Sequence, residues 1–187
     1  MMIDIIKVLI VGIIDIWVIY TLFNVLYICF FRGVPAIPSS KETLHNLEKI
    51  LLKYKTSDDF VFYDLGCGNG KLSFFVAKKY PSSKVVGVEI NPFIVFYLKC
   101  KKFIFGYKNV DFIRANIFKM DFYKLKPDFI YVYLGDSISK KLSAKLKNEL
   151  NFGSIVIGNK FLLPDLKVVD VVKYKTLING PLRVYKK

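Results

Sequence analysis

Histidine, cysteine and acidic residues are scarce in this 187-residue sequence. It contains one histidine, His45, and three widely spaced cysteines that form no C-x-x-C pair, at Cys29, Cys67 and Cys100. This usage argues against a disulfide framework and supplies no ligand set for a zinc or iron–sulfur site, so we expect no metal. Isolated thiols fit a reducing compartment. His45 falls off the apolar face of the helix predicted around it, which favours an exposed residue over a catalytic base.

The shortage of acids leaves the chain strongly basic. Lys and Arg number 29 against 15 Asp and Glu, for a formal net charge of +14, and only Lys7 precedes Arg32. A basic surface indicates nucleic acid, anionic lipid headgroups or a lysine-rich solvated face. The length suggests one domain with an addition at one end. No internal repeats or low-complexity segments accompany it.

Charge is almost absent from one long apolar run near the N-terminus. The 24 residues from Val8 to Phe31 contain a single charged residue, Asp15. As a helix at about 1.5 Å per residue the run is roughly 36 Å long, which exceeds a hydrocarbon core of about 30 Å. We interpret residues 1–31 as a transmembrane anchor. A cleaved signal peptide is one alternative, but the segment has neither a basic n-region nor a small-x-small cleavage site. A buried core helix is another, and the apolar character of the run on all sides argues against it.

The charge imbalance also predicts orientation. By the positive-inside rule, the basic C-terminal part should lie on the cytoplasmic side of a membrane, where anionic lipid is the simplest partner for it. We expect an extended proline-containing linker at 32–38 and a catalytic domain at 39–187. Ser39 is expected to open the first helix of that domain, with Glu42 completing a capping box.

The stretch DLGCGNG at 64–70 lies between a strand-like run and a helical pattern. Alternating glycines let a backbone approach a ligand and leave the amides of the following helix free to face it. Dinucleotide folds use G-x-G-x-x-G, whereas D-x-G-x-G-x-G with a leading acid is typical of S-adenosylmethionine (SAM) methyltransferases. We therefore predict that Asp64, Gly66 and Gly68 line the methionine end of SAM.

Two further residues at strand ends fit the rest of a nucleoside. Glu89 ends the apolar strand 84–89, where a carboxylate can accept hydrogen bonds from ribose hydroxyls. The alternative for Glu89 is a solvated strand end. We expect Ile90 on one adenine face, and Asn116, just after the strand at 110–114, at the adenine edge. The alternative for Asn116 is a turn asparagine.

Chemistry is expected at the end of the fourth predicted strand, 129–133, because ligands in open α/β sheets bind outside the carboxyl ends of strands. Tyr131, Tyr133 and Asp136 are the candidates for the amine side of the site. An aromatic wall favours a lysine side chain through cation–π contact, and a carboxylate can orient it. Strand packing for the tyrosines and a helix N-cap for Asp136 are equally compatible alternatives.

From residue 34 onward the sequence resembles a family of small SAM-dependent protein-lysine methyltransferases. This family includes archaeal broad-specificity enzymes and membrane-anchored mitochondrial enzymes that act on the ATP synthase c subunit and the adenine nucleotide translocase. The resemblance rests on VPAIPSS at 34–40, YDLGCGNGK at 63–71, VVGVEINPFIV at 85–95, VYLGDSISKKLSAKLKNELNFGSIVI at 132–157 and NKF at 159–161.

The resemblance implies an α/β fold: a Rossmann-like, mostly parallel sheet with helices on both faces and an antiparallel C-terminal strand. It also implies SAM as cofactor and methyl transfer to lysine. We count Ser39 and Tyr63, from two of the matching stretches, among the cofactor-binding residues. The family usually has an aromatic residue at the position of Ala36 and a small neutral one at that of Asp136, so substrate choice is the property these departures affect.

Other functions stay open at this point. A nucleic-acid methyltransferase is disfavoured, because the end of the fourth strand lacks N-P-P-Y or D-P-P-Y and has no cysteine nucleophile. A quinone or lipid-headgroup methyltransferase and a SAM-binding membrane scaffold are the remaining alternatives. Our expected substrate is a lysine on a membrane protein close to the bilayer. The sequence gives no oligomeric state.

Overall fold

A computed structural model describes residues 2–31, 39–174 and 180–187. The predicted linker at 32–38 lies outside the described residues. The chain divides into two compact units, Met1–Pro35 and Ala36–Lys187.

The first unit contains one long helix, α1 (Met2–Phe31). Its described side chains, at 6–7 and 9–25, are largely apolar and mostly exposed. Across the residues that the structure describes, no helix combines the length and apolar character needed to cross a bilayer. The structure therefore forms the predicted helix but does not support the predicted transmembrane anchor.

The second unit is built on a sheet whose order, in the described part of the chain, is β3-β2-β1-β4-β5-β7-β6. The first five strands in that order are parallel, and β7 runs antiparallel to both of its neighbours. The bounds are β1 (Val61–Leu65), β2 (Lys84–Glu89), β3 (Val110–Arg114), β4 (Phe129–Val132), β5 (Ile155–Asn159), β6 (Lys167–Val172) and β7 (Leu182–Lys186). This confirms the predicted mostly parallel sheet with an antiparallel C-terminal strand.

Helices cover both faces of this sheet and so bury its central strands on both sides. The helices are α2 (Lys41–Tyr54), α3 (Lys71–Lys79), α4 (Pro92–Ile104), α5 (Phe122–Leu125) and α6 (Asp136–Glu149), with a short 3-10 helix at Ile117–Lys119. One core cluster packs α2, α3 and α4 against side chains such as Phe62. The other packs α5 and α6 against the opposite face, around Leu65. The carboxyl ends of β1, β2, β4 and β5 consequently share one edge.

The start of α2 corrects one prediction. Ser40, not Ser39, is the N-cap: its backbone is extended, and its Oγ accepts a hydrogen bond from the Thr43 amide at 3.0 Å. The helix thus begins one residue later than expected, and Glu42 falls one position short of the capping-box site. His45 is exposed on α2, as its position off the apolar face predicted.

Candidate active site

The loop between β1 and α3 adopts a conformation that only its glycines tolerate well. Gly66, Gly68 and Gly70 all have positive φ, at 77°, 51° and 71°. A Cβ on Gly70 would lie 2.6 Å from Leu98 Cδ2 and 3.2 Å from ring atoms of Phe74 and Phe112. The loop is therefore packed tightly against the core, and a side chain larger than hydrogen at Gly70 would displace its neighbours.

Backbone hydrogen bonds fix this loop to the neighbouring strand β2. The amides of Gly66 and Cys67 both donate to the Val88 carbonyl, at 2.8 and 3.0 Å. Two successive amides directed at one oxygen hold the loop rigidly over the end of β2. The glycine loop and the strand carrying Glu89 thus form one preorganised unit.

Glu89 lies at the mouth of this unit, where the sequence predicted it. Its Oε2 accepts from the Gly68 amide at 3.2 Å, and its Oε1 accepts from the amides of Ile90 and Asn91 at 2.7 and 3.0 Å. Oε1 thus uses both of its lone pairs, whereas Oε2 has one further lone pair, and the side chain is half-buried. The carboxylate is held in a fixed orientation, and Oε2 has capacity left for a hydroxyl donor. Its ribose contact stays a prediction.

Asp64 is buried under the loop, with 3% of its surface exposed. Burial raises the pKa of its carboxyl group to about 7, the Ser73 hydroxyl at 2.6 Å opposes the rise, and the nearby Glu89 charge adds to it. The hydrogen bond ties β1 to α3. Asp64 thus organises the loop from below, and a cation bound above it would favour its ionised form.

The other predicted cofactor residues take different positions. The Ser39 carbonyl accepts from Lys71 Nζ at 2.7 Å, which places the segment before α2 beside the glycine loop. Ile90 is exposed directly after Glu89. Tyr63, in contrast, is buried in the core on the α5 and α6 side, and burial raises its pKa. The Tyr63 ring therefore has a packing role.

Asn116 is exposed at the start of the short 3-10 helix. Its Oδ1, the atom predicted to accept from adenine, accepts from the Phe118 amide at 2.9 Å. This is the turn alternative considered for the sequence. A contact with adenine would have to use the second lone pair of that oxygen, and it stays a prediction.

The predicted acceptor residues do not share one environment. Tyr131 is buried in the core, and burial raises its pKa well above the usual value. Tyr133 is half-buried beyond the end of β4. Asp136 is exposed as the first residue of α6 and forms an ion pair with Lys140 at 2.7 Å, while Gly135 occupies the N-cap position. Asp136 is therefore a solvated helix-start charge, and the N-cap alternative is wrong by one residue.

A polar network that was not predicted surrounds Tyr131. Asn159, buried at the end of β5, donates from Nδ2 to the Tyr131 hydroxyl at 2.9 Å. After β6, the Tyr174 hydroxyl donates to Thr43 Oγ1 at 2.9 Å, and that oxygen lies 2.9 Å from Ser40 Oγ.

Asn159 Oδ1 has no hydrogen-bond partner among the described residues, although it is buried. A buried carbonyl oxygen left unpaired is unfavourable by about 1–3 kcal/mol, so such an atom calls for a donor from a ligand or water. Asn159 ends a parallel strand at the same sheet edge as Glu89. The only sequence signal for it was the NKF stretch, which carried no assigned role.

Comparisons with known proteins agree with this geometry. The sequence model of the ANTKMT methyltransferase domain matches residues 64–170, which is more than half of the chain. A protein-lysine N-methyltransferase from Saccharolobus islandicus is 27% identical over 143 residues, covering 75% of this chain and 84% of that protein. The human lysine N-methyltransferase of the ATP synthase c subunit is 25% identical over 132 residues, covering 70% of this chain. This chain spans 53% of the human relative's length.

Among solved structures, an RNA methyltransferase from Salinibacter ruber in complex with S-adenosyl-L-homocysteine is similar in fold. The TM-score is 0.66 at 24% identity, covering 80% of this chain and 91% of that one. At this identity the likeness concerns the fold alone.

Proposed function

Because this chain belongs to the ANTKMT methyltransferase domain family, we propose that it methylates lysine side chains of a protein substrate. The chain is a SAM-dependent methyltransferase, and its glycine loop, fixed Glu89 and open sheet edge suit that cofactor. The observation that carries the lysine proposal is the buried, unpaired Oδ1 of Asn159 at this edge, in the part of the chain that the structure describes.

The cofactor half of the site binds SAM and orients it. SAM, when bound, supplies an electrophilic methyl group on its sulfonium. The loop at 66–70, with positive φ at its three glycines, gives close backbone approach, and Glu89 Oε2 offers an acceptor for a ribose hydroxyl. Methyl transfer needs little covalent help, so fixing the donor in line with an amine in a dry slot is the main contribution of the protein.

The acceptor half is suited to a neutral amine. Asn159 Oδ1 can accept one N–H of the lysine amine and so direct the nitrogen lone pair, while Asn159 Nδ2 is held by the Tyr131 hydroxyl. Tyr131 is thereby a positioning residue. A desolvated lysine has a lowered pKa, which supplies the neutral form that can react. Asp136 is paired with Lys140 and is left out of this arrangement.

The test is methyl transfer from labelled SAM to membranes and soluble extracts of cells that lack the gene. We expect label in protein that is recovered as methyl-lysine after hydrolysis. Label in lipid, quinone or nucleic acid would replace the lysine proposal. SAM binding without transfer to any fraction would leave a SAM-binding scaffold.

We also propose that α1 attaches the enzyme to a membrane with the methyltransferase unit on the cytoplasmic side, and that the target lysine lies near that surface. Support comes from the exposed apolar side chains of α1, including Trp17, and from the basic charge concentrated after residue 31. Attachment through apolar burial resists high salt, whereas attachment through charge does not. Recovery of the full chain in the soluble fraction after a high-salt wash would contradict attachment through α1.

A further inference from the structure

Helix α4 has an apolar face on each side. Val95 and Leu98 point into the core. On the opposite side an exposed stripe, called here the α4 stripe, comprises Phe93, Phe96, Tyr97, Cys100, Phe103 and Ile104. At 3.6 residues per turn these six positions fall within an arc of about 120° centred opposite Val95 and Leu98.

This stripe is unusual for a helix that covers a sheet. Phe96 is 70% exposed and Phe103 is 88% exposed. The outer surface of α6, in the same unit, carries Lys140, Lys141 and Lys147 in the equivalent solvent-facing role. A sheet-packing helix is normally polar on its outer side, and contiguous exposed apolar patches mark interaction sites.

Cations flank the α4 stripe. Lys99 is exposed on one flank, and Lys101 lies on the other, with its Nζ 4.9 Å from the Phe74 ring centroid. A cavity of about 370 Å³ opens beside Lys101 between α3 and α4, and its lining includes Lys71, Phe74, Tyr97, Phe105 and Tyr107. Aromatic side chains with lysines at their margin suit an apolar body that ends in an anionic group.

We propose that the α4 stripe is a lipid-docking surface of the methyltransferase unit. Its aromatic side chains enter the boundary between headgroups and acyl chains of an anionic bilayer, and the cavity beside Lys101 receives a lipid phosphate. Charge complementarity selects this occupant, because a second copy of this basic chain would bring lysine-flanked stripes together. The proposal deepens the proposed membrane location by giving the catalytic unit its own lipid contact, and it does not depend on α1.

The test uses Cys100, which lies within the stripe and is exposed, whereas Cys67 is buried. The full chain with Cys29→Ser is labelled at Cys100 with an environment-sensitive fluorophore. It is then mixed with phosphatidylcholine vesicles, with or without phosphatidylglycerol, that contain brominated acyl chains. We expect a blue shift and quenching that depend on phosphatidylglycerol, because bromine quenches only a label within the bilayer.

Two variants sharpen this test. Phe96→Ser together with Phe103→Ser should weaken the quenching at least about fivefold, since their apolar burial drives insertion. The matched control is Phe152→Ser, which removes a 91%-exposed phenylalanine outside the stripe and should leave quenching unchanged.

Several outcomes would overturn the proposal. The first is a label that stays in water, and the second is quenching that the double substitution does not affect. The third is a blue shift without lipid that grows with protein concentration. The fourth is a blue shift that appears only when an acidic protein replaces the vesicles. The third would indicate self-association and the fourth a protein partner. None of them bears on methyl transfer to lysine, which is measured separately.

Discussion

The cofactor half and the acceptor half of the site are built from different kinds of sequence. The cofactor half is centred on residues 64–89 and works mainly through backbone geometry. The acceptor half joins side chains from α2, β4, β5 and the segment after β6, including a hydrogen bond between residues 131 positions apart. Substitutions in the cofactor half should therefore lower SAM affinity, whereas substitutions in the acceptor half should lower turnover.

The largest effect is expected for Gly70→Ala. The new methyl group would need a positive φ and would press on three core side chains, and overpacking destabilises by about 1–3 kcal/mol. We expect SAM affinity, measured by calorimetry, to fall by about a hundredfold, which corresponds to a loss of about 2.7 kcal/mol of binding free energy. The matched control is Gly106→Ala, which has a similar φ of 68° but open space around the Cβ. Equal losses in both variants would show that strain at a positive φ accounts for the loss, and not the packing around Gly70.

Asn159→Ala tests the other half. Loss of the oxygen that orients the amine should lower kcat by about ten- to a hundredfold, which corresponds to about 1.4–2.8 kcal/mol. SAM affinity should stay within about twofold, because the glycine loop is intact. The control Asp136→Asn alters an exposed ion pair and should change kcat less than about fivefold, as about 0–1 kcal/mol allows. A larger effect of Asp136 than of Asn159 would return the acceptor role to Asp136.

Glu89→Ala should weaken SAM binding by about tenfold, because losing hydrogen bonds to a charged acceptor is worth roughly 1.5–3 kcal/mol. The free Gly68 amide left behind adds to the loss. Calorimetry measures the affinity, with Glu48→Ala on α2 as a control that removes a carboxylate away from the loop. Unchanged affinity in Glu89→Ala would remove its ribose assignment.

The last effect concerns folding stability rather than ligand binding, through pH and Asp64. Its pKa rises to about 7 in the folded protein, so between about pH 4 and 7 the folded state holds a proton that the unfolded chain releases. Stability should fall as pH rises through this window, by at most about 1.4 kcal/mol per pH unit. Denaturant unfolding from about pH 5 to 8 measures the slope, and Asp64→Asn should flatten it. A slope that persists in Asp64→Asn would locate the buried proton elsewhere.

The glycine loop and the position of Glu89 could be predicted because they depend on consecutive residues. Positive φ requires glycine, and the acid at the end of β2 follows from strand length and the βαβ unit. Boundaries were less certain: the adjacent serines 39 and 40 can both cap a helix, and only the backbone conformation selects Ser40. Asn116 has an oxygen suited to either a turn or adenine, and the turn uses it.

The acceptor half could not be predicted because proximity in the fold, and not local pattern, creates it. Strand β4 is buried on both faces, so alternation could not indicate which way Tyr131 points. Asn159 resembles any polar strand end until its Oδ1 is found buried and, among the described residues, unpaired. The position of Asp136 after β4 suggested an acceptor role. However, Asp136 begins α6, and Lys140, one turn later in the same helix, forms an ion pair with it.

The hydrogen bond from Lys71 to the Ser39 carbonyl has a consequence for the order of events in catalysis. Lys71 begins the helix that follows the glycine loop, and Ser39 directly precedes Ser40, whose Oγ lies 2.9 Å from Thr43 Oγ1 in the acceptor half. A ligand that tightened this connection on one side would strengthen binding on the other, and by thermodynamic reciprocity the factor would be the same in both directions. An enzyme coupled in this way would hold its methyl acceptor most firmly while the methyl donor is bound.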